Sequence, residues 1–395
     1  MTFSVLGITG YGYGLGLAIS ILLYLGVSGV LGYRRRLPAG TLRVFALVAL
    51  PVSLVLARVA FCLVNWAYFT ETISQPARML AFWDGGLSLI GALSGLVLAA
   101  FLAARLMRVR FAVLFDVVAV PIGLLVAGFR LAEGFTGQLG IGRQVALDAL
   151  AQQLPILFLT EQMGTMTFYR LAVYRYEAAV GLAIFLFALW LFARQGKARK
   201  SRQGDVGMIV FALLGASQIL LESLRDDGHM LMGFIRLQQL GFALMPLLAL
   251  AVLSARYGRI RMIRGTVVAA WLLLPVMALV GLLMVHPLNH VLDLTGKRAL
   301  GWALMGSLGL YMALFLRVRG GSLRLILTWL AALLAIGGCV MVEFSIDGSD
   351  NLLRDYAIMA MCCTALYLAV WTLWHTLRRR IYREERLTVR IQSAG

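Results

Sequence analysis

Apolar residues occur along this chain in long runs that charged residues rarely interrupt. The runs lie at about residues 13–33, 44–66, 86–106, 111–131, 172–193, 206–224, 234–255, 266–286, 299–317, 325–345 and 356–376. Each is close to the roughly 20 residues that an α-helix needs to cross about 30 Å of hydrocarbon at 1.5 Å per residue. The pattern therefore predicts an all-α integral membrane protein with about 11 transmembrane helices.

The composition agrees with a membrane protein and decides its predicted orientation. Hydrophobic residues make up 61% of the chain, against about 45–50% in soluble domains. The net charge of +18 would also suit nucleic acid, but 25 of the 36 Lys and Arg residues fall in or at the edges of five alternate connections between the runs and in the C-terminal tail. By the positive-inside rule these six segments are cytoplasmic, which places the N-terminus outside and the C-terminus in the cytoplasm. We expect contact with anionic lipid and no nucleic-acid partner.

The character of the chain changes near residue 260. Charged and strongly polar residues stand within or at the outer ends of the second to seventh runs, whereas the last four runs carry almost none before Glu343. We interpret residues 1–258 as a functional seven-helix unit and residues 259–395 as an appended four-helix unit. The long segment 132–171 is predicted to be external. The four cysteines lie inside apolar runs and indicate no disulfide framework, and we expect neither a metal site nor a cofactor.

Ionisable residues within the apolar runs are the candidates for chemistry, because each costs about 2.5–3.5 kcal/mol at the centre of a membrane helix. Gln218, Glu222 and Arg225 recur at helical spacing and share one face. Arginines that face a common cavity would clamp a phosphate. Alternatively, the arginines and glutamates pair with one another to hold helices together. The candidates within the runs are Arg58, Asp116, Arg130, Arg175, Glu177 and Glu222, and Arg225 lies just beyond the outer end of its run.

Glycines punctuate the segment FWDGGLSLIGALSG at residues 82–95. Gly85 and Gly86 would allow the backbone to approach a ligand closely. Gly91 and Gly95 have the small-xxx-small spacing that packs membrane helices. The segment thus has both a ligand-binding and a packing interpretation.

Several motifs, taken in order over about residues 8–256, resemble those of the bacterial prolipoprotein diacylglyceryl transferases. The ordered set is far more specific than any one member. It consists of GYGYGLG at 10–16, ARVAFCLVNW at 57–66, WDGGLSLIG at 83–91, FRLAEGFTGQLGIGR at 129–143, YRYE at 174–177 and SQILLESLRDDG at 217–228.

The resemblance implies a multi-pass enzyme of the bacterial plasma (inner) membrane. Such an enzyme takes phosphatidylglycerol and transfers its diacylglyceryl group to the lipobox cysteine thiol of a preprolipoprotein, releasing glycerol phosphate. The resemblance implies catalytic roles for Arg130, Glu222 and Arg225. The substrate-binding residues that it implies are Tyr13, Arg58, Asp84, Gly85, Gly86, Ser88, Glu133, Gly142, Arg143, Tyr176, Glu177 and Gln218.

Three positions depart from the family pattern. Ile90 stands where the family has a histidine, Gln218 where it has an arginine and Glu133 where it has an asparagine. Three interpretations follow: a transferase of the family type, a divergent enzyme with an anionic phospholipid donor and a different acceptor, or a non-catalytic lipid-binding or accessory membrane protein. We expect Arg130→Ala to abolish activity without unfolding, since it removes a charge from a site and not a core contact.

Overall fold

The computed structural model describes most of the chain, in thirteen stretches. These are residues 2–5, 8–66, 68–72, 75–81, 86–136, 141–145, 148–163, 166–197, 202–226, 231–232, 235–257, 323–346 and 352–392. The runs predicted at 266–286 and 299–317 lie outside the described residues, as do the candidate site residues Asp84 and Gly85.

The described part of the chain is mainly helical. Eight of its helical segments are long and apolar enough to cross a membrane, and Thr328–Phe344 is a shorter apolar helical segment. The prediction of a mainly helical membrane protein is confirmed. The helices are α1 Gly12–Arg34, α2 Thr41–Val64, α3 Leu89–Leu106, α4 Phe111–Ala119, α5 Ile122–Glu133, α6 Asp148–Gln153, α7 Val173–Lys197, α8 Asp205–Ser223, α9 Leu237–Tyr257, α10 Leu323–Ser345 and α11 Leu352–Gln392.

The fourth predicted span is broken in the structure. Helix α4 ends at Ala119 and α5 begins at Ile122, although together they form one candidate span, Phe111–Glu133. Pro121 lies at the break and explains it, because proline has no N–H to donate and its ring clashes with the preceding turn.

Short antiparallel strands, which the all-α prediction did not include, occur before α1 and between later helices. They hydrogen-bond the backbone of connections too long to be simple turns. Strands β3, β5 and β4 form a three-stranded sheet in that order, while β1 with β2 and β6 with β7 form hairpins. The strands are β1 Thr2–Val5, β2 Ile8–Tyr11, β3 Gln144–Val145, β4 Phe158–Met163, β5 Met166–Leu171, β6 Leu231–Met232 and β7 Ile235–Arg236.

The chain divides into two compact units, Met1–Met230 with Leu237–Met245 and Leu231–Arg236 with Pro246–Gly395. In the second unit, α10 packs along α11. The indole Nε1 of Trp329 donates to Ser254 Oγ at 3.2 Å. The thiol sulfurs of Cys339 and Cys363 lie 3.8 Å apart as free cysteines.

Glycines set the closest helix contacts of the first unit. A Cβ on Gly91 would lie 2.5 Å from the carbonyl oxygen of Leu56, and a Cβ on Gly95 would lie 2.4 Å from the Cα of Ser53. Any larger residue at either position would therefore push α3 away from α2. The packing interpretation of the Gly91 and Gly95 spacing is correct.

A second glycine pair brings α5 onto α7. A Cβ on Gly123 would lie 2.4 Å from the carbonyl oxygen of Gly181, and a Cβ on Gly181 would lie 2.7 Å from that of Gly123. Helix α1 approaches α5 in the same way, since a Cβ on Gly16 would lie 2.8 Å from the Cβ of Ala132. These close approaches bring the charged ends of α5 and α7 together.

Candidate functional site

Five charged side chains meet at the ends of three helices in the first unit. Arg130 and Glu133 belong to the last turn of α5, Glu177 to the first turns of α7, Glu222 to the last turn of α8, and Arg225 follows α8. None of the five residues is more than 9% exposed, and Glu177 and Glu222 are fully buried. We call these five residues the charged cluster.

Arg130 is the centre of the charged cluster. Its Nη1 contacts Glu133 Oε1 at 2.6 Å, its Nε contacts Glu177 Oε2 at 2.9 Å, and its Nη2 contacts Glu222 Oε1 at 3.1 Å. The Nε contact is an ion pair that is not aligned as a hydrogen bond. Because each nitrogen has a different carboxylate, the planar guanidinium joins α5, α7 and α8 at one point.

Arg225 shares two of these carboxylates. Its Nη1 lies 3.2 Å from Glu177 Oε2 and 3.4 Å from Glu133 Oε2. Glu133 therefore bridges the two guanidinium groups, one with each oxygen. The pairing of arginines with glutamates that the sequence allowed is observed for Arg130, Arg225 and the three carboxylates. Arg175, which that alternative also included, instead donates to the carbonyl oxygens of Pro155 and Ile156.

Backbone contacts fix the position of Arg225. The N–H of Arg143 donates to the carbonyl of Leu224 at 3.1 Å, and Gly142 forms a β-bridge with Arg225. A Cβ on Gly142 would lie 2.6 Å from the Cβ of Leu171. Of the predicted binding residues, Gly142 and Arg143 thus contribute backbone that holds the chain after α8 in place.

The charged cluster has more negative than positive groups. It contains two guanidinium cations and three carboxylates, a formal charge of −1. Glu177 Oε1 and Glu222 Oε2 are buried and have no hydrogen-bond partner among the described residues. The same is true of both amide atoms of Gln218, which lies one turn before Glu222 on α8 and is fully buried. The site therefore has polar atoms that the described protein does not satisfy.

The two predicted tyrosines differ in their relation to the charged cluster. Tyr13 is half-buried, and the charges of Glu133, Arg130 and Arg225 all act on its phenol group. The hydroxyl of Tyr176 instead donates to the carbonyl oxygen of Leu157. Tyr13 thus borders the cluster, whereas the hydrogen bond of Tyr176 joins α7 to the segment before β4.

Arg58 holds a connection between helices. Its Nε donates to the carbonyl of Met79 at 2.9 Å, its Nη2 to that of Arg78 at 2.7 Å and its Nη1 to that of Gly86 at 3.2 Å. Gly86 has φ +68°, a left-handed conformation that favours glycine. These contacts hold the chain between α2 and α3 in place.

The start of α3 contains two further positions of interest. Ser88 is the N-cap, and its hydroxyl oxygen accepts from the N–H of Gly91 at 3.3 Å. Ile90 packs against α9, where a Cβ on Gly241 would lie 2.5 Å from Ile90 Cγ1. An apolar branched side chain therefore fills the space next to a glycine at the position where the resemblance implies a histidine.

Two ionisable residues singled out from the sequence have contacts outside the charged cluster. Asp116 accepts from the N–H groups of Gly204 at 2.7 Å and Gly207 at 2.8 Å, so it caps the N-terminus of α8. Arg175 donates to the carbonyl of Ile156 at 2.9 Å. An ionisable residue within an apolar run is therefore not always part of the charged cluster.

An ion-pair network next to the cluster was not predicted. Arg170 on β5 contacts Glu161 at 2.6 Å and Asp226 at 2.9 Å. The hydrogen bond to Glu161 raises the pKa of the Arg170 guanidinium. The network links the three-stranded sheet to the residue after Arg225. The sequence carried no signal for it, because neither FLTEQM in β4 nor MTFYRL in β5 alternates polar and apolar residues.

A buried cluster of arginines and carboxylates among apolar helices defines an integral membrane protein with a polar site built between its helices. The family model of prolipoprotein diacylglyceryl transferase matches residues 1–255, which include the whole charged cluster. The chain belongs to this family.

Several relatives are named phosphatidylglycerol–prolipoprotein diacylglyceryl transferase. The one from Limosilactobacillus reuteri is 26% identical over 247 residues, which are 62% of this chain and 86% of the relative. The one from Nostoc sp. is 29% identical over 252 residues, 63% of this chain and 86% of the relative. The one from Pediococcus pentosaceus is 27% identical over 206 residues, 52% of this chain and 71% of the relative.

Proposed function

We propose that this chain is a transferase that moves the diacylglyceryl group of phosphatidylglycerol to the lipobox cysteine thiol of a prolipoprotein. The observation that carries the proposal is the buried pair Arg130 and Arg225, held by carboxylates in the part of the chain that the family model matches. The names of the relatives supply the donor lipid and the acceptor class.

The reaction exchanges a carbon–oxygen bond for a carbon–sulfur bond. The acceptor thiol gives up its proton, which ends on the departing glycerol phosphate, and the sulfur attacks the carbon of the diacylglycerol part that is esterified to the phosphate. The bond between that carbon and the phosphate oxygen breaks, and glycerol phosphate leaves with the bonding electrons. Negative charge grows on the departing phosphate, which is where guanidinium groups lower the barrier.

The carboxylates prepare the arginines for this task. Arg130 has five N–H donors and makes three carboxylate contacts among the described residues. These contacts fix the plane of the guanidinium before substrate arrives, so little reorganisation is needed during the reaction. In this proposal Arg130 and Arg225 bind the phosphate, and Glu222 orients Arg130.

The proposal includes the arrangement of the chain in the membrane. We place eleven spans in a bacterial inner membrane, with the N-terminus outside, the C-terminus in the cytoplasm and the charged cluster toward the external face. Residues 1–258 form the transferase unit and residues 259–395 an appended four-helix unit. The alternating basic connections support this orientation.

A second candidate is a transferase with the same donor and a different acceptor. The contact of Ile90 with Gly241 favours it, because an aliphatic side chain cannot take the proton of a thiol. In that case the donor half of the site is retained and the acceptor half has changed.

One experiment tests both candidates. Purified full-length protein is incubated with phosphatidylglycerol labelled in its acyl chains and head group, together with a lipobox peptide. The first candidate predicts equal amounts of lipidated peptide and released glycerol phosphate, and neither product with a peptide in which serine replaces the cysteine. Head-group release without peptide lipidation favours the second candidate, and no consumption of the lipid contradicts both.

A further inference from the structure

Three neighbouring residues in and beside the charged cluster carry buried polar side-chain atoms that the described protein does not satisfy. Gln218 and Glu222 stand one turn apart on the same face of α8, and Glu177 and Glu222 both contact Arg130. Glu177 Oε1, Glu222 Oε2 and both amide atoms of Gln218 have no partner in the described part of the chain. All three residues are fully buried.

Such atoms are costly unless something binds them. A buried polar group without a hydrogen bond destabilises a protein by about 1–3 kcal/mol, and more when it is charged. Native proteins retain few such groups, and those they retain are often completed by a ligand or an ordered water. Four such atoms on three residues linked by α8 and by Arg130 indicate a binding site whose second half comes from a bound molecule.

The chemistry of the four atoms restricts what can bind. The two carboxylate oxygens only accept hydrogen bonds, whereas the amide of Gln218 both donates and accepts. A phosphate oxygen would be repelled by the carboxylates. A hydroxyl group fits, because it donates to a carboxylate and accepts from an amide N–H.

We propose that Gln218, Glu177 and Glu222 form a subsite for the hydroxyl groups of a polyol head group, beside the phosphate that Arg130 and Arg225 hold. This inference rests on the proposed function, because it assigns the two ends of one donor lipid to two parts of the site. Hydroxyls donate to Glu177 Oε1 and Glu222 Oε2, and Gln218 donates from Nε2 and accepts at Oε1. The subsite then selects phosphatidylglycerol over phospholipids without head-group hydroxyls.

Phosphatidylethanol is a suitable probe, because it keeps the anionic phosphodiester and lacks the two hydroxyls. Full-length protein in phosphatidylcholine nanodiscs is titrated with each lipid. The wild type should bind phosphatidylglycerol about tenfold more tightly for each hydrogen bond to a charged group that is lost with the hydroxyls. Gln218→Leu should weaken binding of phosphatidylglycerol and leave that of phosphatidylethanol unchanged.

Thermal unfolding without added lipid provides an independent measurement. Leucine is close to glutamine in shape and has no polar atoms, so Gln218→Leu should unfold at the same temperature as the wild type or higher. Gln239→Leu is the matched control, because the amide of Gln239 is also buried but donates to the carbonyl of Ile219 at 3.3 Å. This control should lower the unfolding temperature and keep the lipid preference.

The outcomes separate this inference from the proposed function. If the wild type binds neither lipid, the proposed function fails. If it binds both equally, or if Gln218→Leu weakens both equally, the lipid is bound but the polyol subsite is refuted. Equal binding would mean that ordered water alone satisfies the buried atoms.

Discussion

Removing the guanidinium of Arg130 should damage folding as well as activity. The side chain is 6% exposed and contacts three carboxylates at 2.6, 2.9 and 3.1 Å. Arg130→Ala leaves one arginine among three buried carboxylates and changes the formal charge of the cluster from −1 to −2. The expectation that this substitution spares the fold therefore does not agree with the structure, in which Arg130 joins three helices.

The size of the effect follows from the burial of the partners. Breaking a buried ion pair by removing one member costs about 3–5 kcal/mol, a large part of the roughly 5–15 kcal/mol that stabilises a typical protein. Arg130→Lys keeps the charge, but a single ammonium nitrogen cannot replace three differently placed nitrogens. We expect Arg130→Lys to lose most of its activity and to unfold between Arg130→Ala and the wild type.

A second substitution separates the effect of the unpaired carboxylate charge on stability from the need for the Arg130 guanidinium in transfer. Glu177 is fully buried, so Glu177→Gln in the Arg130→Ala background removes an uncompensated charge and should restore part of the stability without restoring transfer. Thermal unfolding of the detergent-purified proteins and the peptide lipidation assay provide the two measurements. Additive effects in the double mutant, or wild-type stability of Arg130→Ala, would refute the role of Arg130 as a buried ionic link.

Three other predictions concern different parts of the chain. Ile90→His should lower the unfolding temperature and give no gain in peptide lipidation, because an imidazole without a hydrogen-bond partner in apolar packing costs about 1–3 kcal/mol. Higher peptide lipidation than in the wild type would instead show that the site lacked a base. Gly181→Leu should destabilise the protein and reduce transfer because its Cβ would lie 2.7 Å from the carbonyl of Gly123, whereas Gly26→Leu, with nothing within 4 Å of its Cβ, should do neither. In the proposed topology, a cysteine at residue 140 should react with an impermeant maleimide added outside intact cells, and protection there would overturn the orientation.

The helices were predictable because a membrane span needs a minimum apolar length. The predicted run 172–193 corresponds to α7 at Val173–Lys197, and the run 206–224 corresponds to α8 at Asp205–Ser223. The strands of the segment 132–171 were missed, because its six-residue strands lie outside the apolar runs and show no clear alternation. Hydrogen bonds between neighbouring strands, and not local sequence, define them.

The site was predictable only within one helix. Helical spacing correctly placed Gln218 and Glu222 on one face of α8. It gave no indication that Glu133 would join Arg130 to Arg225, because that contact requires the chain after α8 to approach the end of α5. The resemblance supplied the list of residues, whereas the structure separates those in the cluster from those, such as Arg58, that hold a connection.

The three departures from the family pattern have different positions in the structure. Ile90 packs against a glycine of α9. Glu133 bridges two guanidinium groups, and Gln218 contributes a buried amide with no partner among the described residues. A neutral amide at 218 and an acid at 133 together give the site more acceptor atoms and fewer cations than the family pattern would. Attraction of a phosphate therefore depends on how the N–H donors of Arg130 and Arg225 are oriented and not on the net charge of the site. The carboxylate contacts that fix those donors are for this reason as important as the arginines themselves.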